Sequence, residues 1–324
     1  MVTAVQVEAI ALAMIRFKLF HADDRATWDR FAASAKNGTF LFQRDYLEYH
    51  ADRFSDSSLM IYDDGDLVAL LPANREGDTL VSHGGLTFGG IISSERMRTP
   101  LMLEIFSALQ RELPVWGVSR IIYKAIPHIY HTVPAEEDLY ALFAHNARLI
   151  RRDVSSTIDR RAPLPFSKGR VWGYKQAVKY GLTYCESDDY ETFLRIEEEV
   201  LTVRHGVKPV HTAPELRLLA NRFPDNIKLF AVFQNTQMLG GAVIYATQNV
   251  AHAQYLSATD EGKRMGALDL LLTGLINERY SAQRYFDFGI STESQGRYLN
   301  TGLINNKEAF GARATVYDFY ELTL

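Results

Sequence analysis

Ile227-Lys228-Leu229-Phe230-Ala231-Val232-Phe233, Met238-Leu239-Gly240-Gly241-Ala242-Val243-Ile244-Tyr245-Ala246 and Val250-Ala251-His252-Ala253-Gln254-Tyr255-Leu256-Ser257 are three consecutive runs of strand-forming residues. Asn235-Thr236 and Gln248-Asn249 supply the turns, so the runs read as a β-meander. Upstream, Phe193, Ile196, Val200 and Val203 mark one helix, and Leu216, Leu219, Ala220 and Phe223 mark a shorter one after Pro214. Downstream, Gly262 precedes a helix that turns Met265, Leu268, Leu272, Leu275 and Ile276 inward, and a short strand spans Tyr285 to Phe288. A final strand runs from Ala314 to Tyr320. Helices alternating with strands of mixed connection predict an α/β chain, with mixed sheets of α+β character.

Between those last two strands the chemistry changes abruptly. Asp287 is the one acid inside an aromatic strand, and Gly289 ends that strand. Ser291, Thr292, Glu293, Arg297 and Asn300 then crowd polar groups beyond the strand end, where open α/β sheets place ligands. The stretch from Tyr285 to Gly311 reads as a candidate pocket rim, or as a strand, a capped helix and a loop whose polar groups satisfy backbone.

The first half has a similar order. Ile15 to Phe20 opens as a strand, and Trp28, Phe31, Ala32 and Ala35 form the apolar side of a helix ended by Asn37-Gly38. Strands follow at Leu59 to Tyr62, Leu67 to Pro72 and Thr79 to Ser82, with turns at Asp64-Gly65 and Glu76-Gly77. From His83 to Gly90 there are four glycines in eight residues, with neither phosphate-loop nor dinucleotide spacing. A helix from Thr99-Pro100, a strand from Ser119 to Lys124, a helix around Glu136 to Asn146 and a strand around Leu149 to Ile158 complete the unit.

At 324 residues with 47% hydrophobic and 23% charged content, the composition is that of a soluble globular protein with room for two domains. A net charge of −4 predicts no general attraction to nucleic acid, and DNA is not expected as a partner. The single Cys185 excludes a disulfide framework and a cysteine metal cluster; with no membrane-spanning run, this fits the cytoplasm. His205 and His211 lie six apart, which suits no common ligand spacing, and no metal site is expected. The expected boundaries are an extension at 1–14, a first domain at 15–160, a connecting segment at 161–181 and a second domain at 182–324. The joint stands apart chemically: from Arg160 to Gly181 six basic residues (Arg160, Arg161, Lys168, Arg170, Lys175, Lys179) meet no acid. Ser167 to Tyr180 reads as a helix with Val171, Tyr174 and Val178 on its apolar edge and Lys168, Lys175 and Lys179 beside it. It is either a solvated basic helix or a surface for an anion such as a nucleotide, a phospho-sugar or tRNA.

Two degenerate copies joined by a basic helix resemble the Fem-type acyltransferases of cell-wall synthesis and their smaller FemAB-like relatives in the GNAT superfamily. The pieces that carry the resemblance are Thr39-Phe40-Leu41-Phe42, Leu70-Leu71-Pro72-Ala73-Asn74 before His83, and Arg204 to His211 with Glu215. Gly240-Gly241, Gln254-Tyr255, Asp287 to Ser291 and Lys307 to Arg313 complete the set. The resemblance implies tandem GNAT-like domains and transfer of an acyl group to an amine of an amino-sugar or amino-acid envelope precursor, small, nucleotide-linked or lipid-linked.

Such a reaction needs a proton acceptor and donors for the oxyanion. In the matching pieces the acceptors are His205, His211, Asp287 and Glu293, with Tyr255 to reprotonate the leaving group. Arg204, Gln254, Ser291, Glu293, Asn300, Lys307, Arg313 and His83 are the implied substrate contacts. No tightly bound cofactor is expected; acyl-CoA is the implied co-substrate, held at Gly262, Lys263, Arg264 and Gly266, where glycines and bases open a helix with spacing unlike the standard diphosphate loop. Aminoacyl-tRNA is the alternative donor, and a non-catalytic binding protein of the same fold is the alternative function.

Overall fold

A computed structural model describes residues 15–205 and 209–324, with only the backbone for 202–205. The expected extension at 1–14 lies outside the described residues. In the first half the elements are β1 (Ile15–Leu19), α1 (Arg25–Ser34), α2 (Arg44–Leu47), β2 (Leu59–Asp63), β3 (Asp66–Leu71), β4 (Asn74–Glu76), β5 (Thr79–Val81), β6 (Ile92–Ser93), α3 (Thr99–Glu112), β7 (Arg120–Lys124), α4 (Glu137–Ala144) and β8 (Arg148–Asp159). In the second they are α5 (Lys168–Lys179), β9 (Thr183–Ser187), α6 (Tyr190–His205), α7 (Ala213–Arg222), β10 (Ile227–Gln234), β11 (Gln237–Ala246), β12 (Val250–Ala258), α8 (Asp260–Met265), α9 (Ala267–Gly274), β13 (Tyr285–Ile290), β14 (Thr292–Glu293), β15 (Tyr298–Leu299), α10 (Thr301–Glu308) and β16 (Arg313–Thr323).

The meander forms as its alternation requires, with β10, β11 and β12 antiparallel in sequence order. It belongs to a ten-stranded sheet of order β4-β5-β7-β16-β8-β13-β12-β11-β10-β9 that crosses the whole molecule. The halves exchange strands within it: β16, from the end of the chain, lies between β7 and β8, and β8 in turn pairs with β13. A boundary at residue 160 therefore does not separate two sheets. β3 and β5, a simple series in the sequence, also part company, because β3 joins a four-stranded sheet of order β1-β2-β3-β6 while β5 edges the large one.

One core spans both halves, with Trp28, Phe42 and Phe88 from the first packed in the same cluster as Phe193, Leu216 and Tyr245 from the second. Trp28 is fully buried, and its indole N–H donates to the Phe42 carbonyl at 2.8 Å. Helix α5 is capped by Ser167, as its sequence predicts. Its buried face, however, is Gly173 and Ala177 rather than the Val171–Tyr174–Val178 edge, which is exposed. Gly173 lets the helix sit directly on α9, where an added Cβ would lie 2.2 Å from the Asp269 carboxylate.

Candidate active site

Strands β12 and β13 run parallel and pair only from Val250–Tyr285 to His252–Asp287. Beyond that point they part, and a cavity of about 470 Å³ opens between Ala253–Leu256 on one side and Phe288–Ile290 on the other. The parting coincides with a local irregularity of β13: Gly289 takes a positive φ of 75°, a conformation that costs a glycine little, and on its other edge the register of β13 with β8 shifts between Asp287 and Ile290. Past the fork β12 no longer pairs with β13, and its Ala253–Leu256 edge borders the cavity, where an extended amide-bearing ligand can add to it.

At the apex of this wedge sit His252 and Asp287. Asp287 is fully buried and accepts five hydrogen bonds, from Ser155 Oγ (2.6 Å), Thr157 Oγ1 (2.7 Å), His252 Nδ1 (2.7 Å), Tyr317 OH (3.0 Å) and the Gly289 N–H (3.3 Å). Burial by itself would raise its pKa, but the bonds from His252, Ser155 and Thr157 outweigh burial and hold the carboxyl below its ordinary value. Every lone pair of the carboxylate is engaged, so Asp287 fixes the His252 ring instead of exchanging protons. With Nδ1 committed to Asp287, Nε2 of His252 has no hydrogen-bond partner among the described residues, and the ring lines the cavity.

Lys307 lines the same cavity and is buried, its ammonium donating to the Gly289 and Ile290 carbonyls at 2.8 and 2.7 Å. Burial pushes it down to about 8 while Asp287 acts in the opposite sense, so a charged third N–H remains at neutral pH.

A second cavity, of about 340 Å³, adjoins the wedge and shares Thr87, His252 and Gln254 with it. Both halves of the chain build it. Phe40, Tyr46, Tyr49, Phe54, Phe88, Tyr130 and Tyr245 line it with aromatic faces, and Gly84 and Gly85 supply part of one wall. Those glycines are pinned by Lys124, whose ammonium donates to the carbonyls of His83, Gly84 and Leu86. A side chain at Gly85 would put a Cβ 2.3 Å from His50 Nε2, so the close approach requires glycine. His211 is held by Tyr255 OH at 2.7 Å on Nδ1 and Tyr49 OH at 3.0 Å on Nε2. Burial keeps His50 and His211 neutral, pushed down to about 4, and His83 to about 3. Neither ring nitrogen of His50 has a hydrogen-bond partner among the described residues, although His50 is only 1% exposed.

Of the residues expected from sequence, Asp287, His211, Tyr255, Gln254 and Lys307 gather around these two cavities. His83 stacks edge-on to His50 behind the wall. Tyr255 is no ready acid, since burial raises its hydroxyl well above its ordinary value. Ser291 is buried and bonded through its backbone to Val154 and Asn300. Asn300 caps α10 and donates to Glu293, which is exposed, and Arg313 is exposed and donates to the Ala312 carbonyl, so these three are surface and capping groups. Gly262 and Gly266 are packing glycines: an added Cβ would lie 2.4 Å from the Leu239 carbonyl and 2.2 Å from the Gly173 carbonyl. Lys263 pairs with Asp260, and none of Gly262, Lys263, Arg264 and Gly266 lines either cavity. The Arg204 and His205 side chains lie outside the described residues. His252, Tyr49 and His50 are the groups that sequence reading missed; the one local signal was His252, an ionisable side chain flanked by two alanines on a strand. Among the described residues no cluster of His, Cys, Asp and Glu has the form of a metal site.

Residues 173–298 match the family model for the acetyltransferase (GNAT) domain. The fold of the whole chain is similar to that of FemX, with a TM-score of 0.65 at 11% identity over 95% of this chain and 97% of that one. It is similar also to the C-terminal domain of a putative lysylphosphatidylglycerol synthetase from Agrobacterium fabrum, with a TM-score of 0.59 at 11% identity over 92% of each chain. A tandem GNAT protein from the clavulanic acid biosynthesis pathway gives a TM-score of 0.52 at 11% identity over 96% of this chain and 98% of that one. No curated protein sequence matches the chain.

Proposed function

We propose that this chain, a GNAT-superfamily acyltransferase with a FemAB-like tandem fold, transfers an acyl group from an acyl-CoA thioester to an amine of a cytoplasmic amino-sugar or amino-acid precursor of the cell envelope. The observation that carries the reading is the His252–Asp287 pair at the apex of the wedge, where the two cavities meet. The thioester arm, which carries two amides, lies along the edge of β12 at Ala253–Leu256, and the acceptor enters through the aromatic cavity. The amine nitrogen bonds to the carbonyl carbon and the carbon–sulfur bond breaks. His252 Nε2 takes the proton the amine loses, Asp287 steadies the imidazolium that results, and that proton passes to the departing thiolate, which leaves as the thiol. The remaining N–H of Lys307 is available to the oxyanion.

The experiment is a thermal-shift titration with acetyl-CoA and CoA, followed by thiol release with amino-sugar and amino-acid acceptors. A melting temperature that rises with CoA concentration, and release that depends on an amine, are expected. Absence of both ends the acyl-CoA reading. One observation favours aminoacyl-tRNA as the second reading for the donor: the glycines at 262 and 266 are spent on packing, so the expected diphosphate cradle does not open to the cleft. Charged tRNA that binds with steep salt dependence, where CoA does not, is the signature of that alternative. Lys307→Met is expected to lower kcat roughly 100-fold with little change in KM, as loss of an oxyanion donor does; equal kcat removes Lys307 from the reaction.

A further inference from the structure

We infer that α5, together with the extended segment before it, docks this protein onto an anionic lipid surface. The inference is independent of the acyl-transfer reading and rests on the helix faces. Gly173 and Ala177 are buried against the body, and Arg170 neutralises Asp269 beneath the helix at 2.9 Å. On the opposite side Lys168, Lys175 and Lys179 lie two and three turns apart on one line. No carboxylate among the described residues pairs with any of the three. Flanking this line are large apolar side chains that the fold leaves in water: Trp172 at 61% exposure, Val178 at 54% and Val171 at 43%. Leu164 and Phe166, kept extended by Pro163 and Pro165, continue the apolar surface into a groove of about 440 Å³ shared with Val171 and Tyr174.

A lysine line beside aliphatic and indole groups on an outward helix face is the chemistry of an interfacial helix. The ammonium groups meet lipid phosphates while the apolar flanks enter the headgroup and acyl boundary. The aliphatics choose between two anionic partners. RNA engages lysines and aromatic faces, but Val171, Val178 and Leu164 have no π-face on which a base stacks, and their exposure is matched by hydrocarbon alone. The segment is also the only long basic run in a chain of net charge −4, so attraction to an anionic surface orients the molecule with this face down.

The test is co-sedimentation of the full chain with phosphatidylcholine vesicles, with and without about one-third phosphatidylglycerol. Binding that needs the anionic lipid and falls with salt is expected. Lys168→Glu/Lys175→Glu/Lys179→Glu is expected to lower partitioning by about two orders of magnitude, at about five-fold per lysine. Val171→Ser/Val178→Ser is expected to lower it about ten-fold. All are surface changes, so circular dichroism and melting temperature should match the parent. In a Trp116→Phe background, which leaves the buried Trp28 and Trp172, brominated lipid should quench the fluorescence of Trp172. No sedimentation at low salt, equal binding to neutral vesicles, or tRNA binding insensitive to the valine changes in a protein that ignores vesicles would each overturn the proposal.

Discussion

His252→Ala is expected to lower kcat about 1000-fold, in the range that a positioned general base supplies, while leaving the thermal shift produced by CoA unchanged. The expectation follows from geometry. Asp287 commits Nδ1 of His252, and the ring then presents its free nitrogen where the wedge and the aromatic cavity meet. Asp287→Asn tests the positioning role separately. An amide in that place brings an N–H group among five donors that all need an acceptor, so at least one contact turns repulsive and the ring loses its fixed tautomer. A loss of kcat comparable to that of His252→Ala, with the acid limb of the pH–rate profile displaced, is expected. Asp287→Ala would instead orphan Ser155, Thr157 and Tyr317 in the interior and cost stability on the order of 3 kcal/mol or more. Turnover by His252→Ala within ten-fold of the parent would sink the assignment.

The second large effect is acid sensitivity. His50, His211 and His131 are buried with folded values near 4 and His83 near 3, against an unfolded value of about 6.5. Because the folded values are depressed, the stability these residues contribute is complete above pH ~6.5 and is lost as pH falls toward the folded values. In that window the unfolded chain binds protons that the folded chain refuses. Each histidine costs about 1.4 kcal/mol per pH unit there, so four together remove several kcal/mol between pH 7.5 and 5.5, a large part of an ordinary folding free energy. A melting temperature that falls steeply over that interval is expected, with a shallower fall in His50→Leu, which removes a ring without hydrogen-bond partners among the described residues. A flat profile from pH 7.5 to 5.5 would show that the folded chain admits the protons.

The elements of the second half were legible because their signals are local. The meander expected at 227–233, 238–246 and 250–257 forms at Ile227–Gln234, Gln237–Ala246 and Val250–Ala258. The basic helix begins at the serine that caps it. What was not legible is pairing between distant segments. Nothing in the run at Arg313–Thr323 says that it lies between β7 and β8, and strand patterns carry no address. The candidate site shows the same division. Asp287 is conspicuous as an acid inside an aromatic strand, whereas His252 reads as one more residue of the meander until parallel pairing sets it beside Asp287. Glu293 and Asn300 attracted notice because polar residues crowd past a strand end, and there capping and local turns were the stronger claim on them.

The place of β16 has a consequence for how the protein is made. The ribosome delivers this strand after every other strand of the ten-stranded sheet, yet it fills the slot between β7 and β8. Until it emerges, both neighbours hold open edges of the kind that recruit other chains, and the first half cannot close around its own core. Closure of this sheet is thereby postponed until β16 has been made, with contacts between β7 and β16 spanning about two hundred residues. A ribosome that stalls before β16 therefore leaves a product that holds every other strand but has a cleft in the middle of its sheet, a substrate for chaperones and proteases.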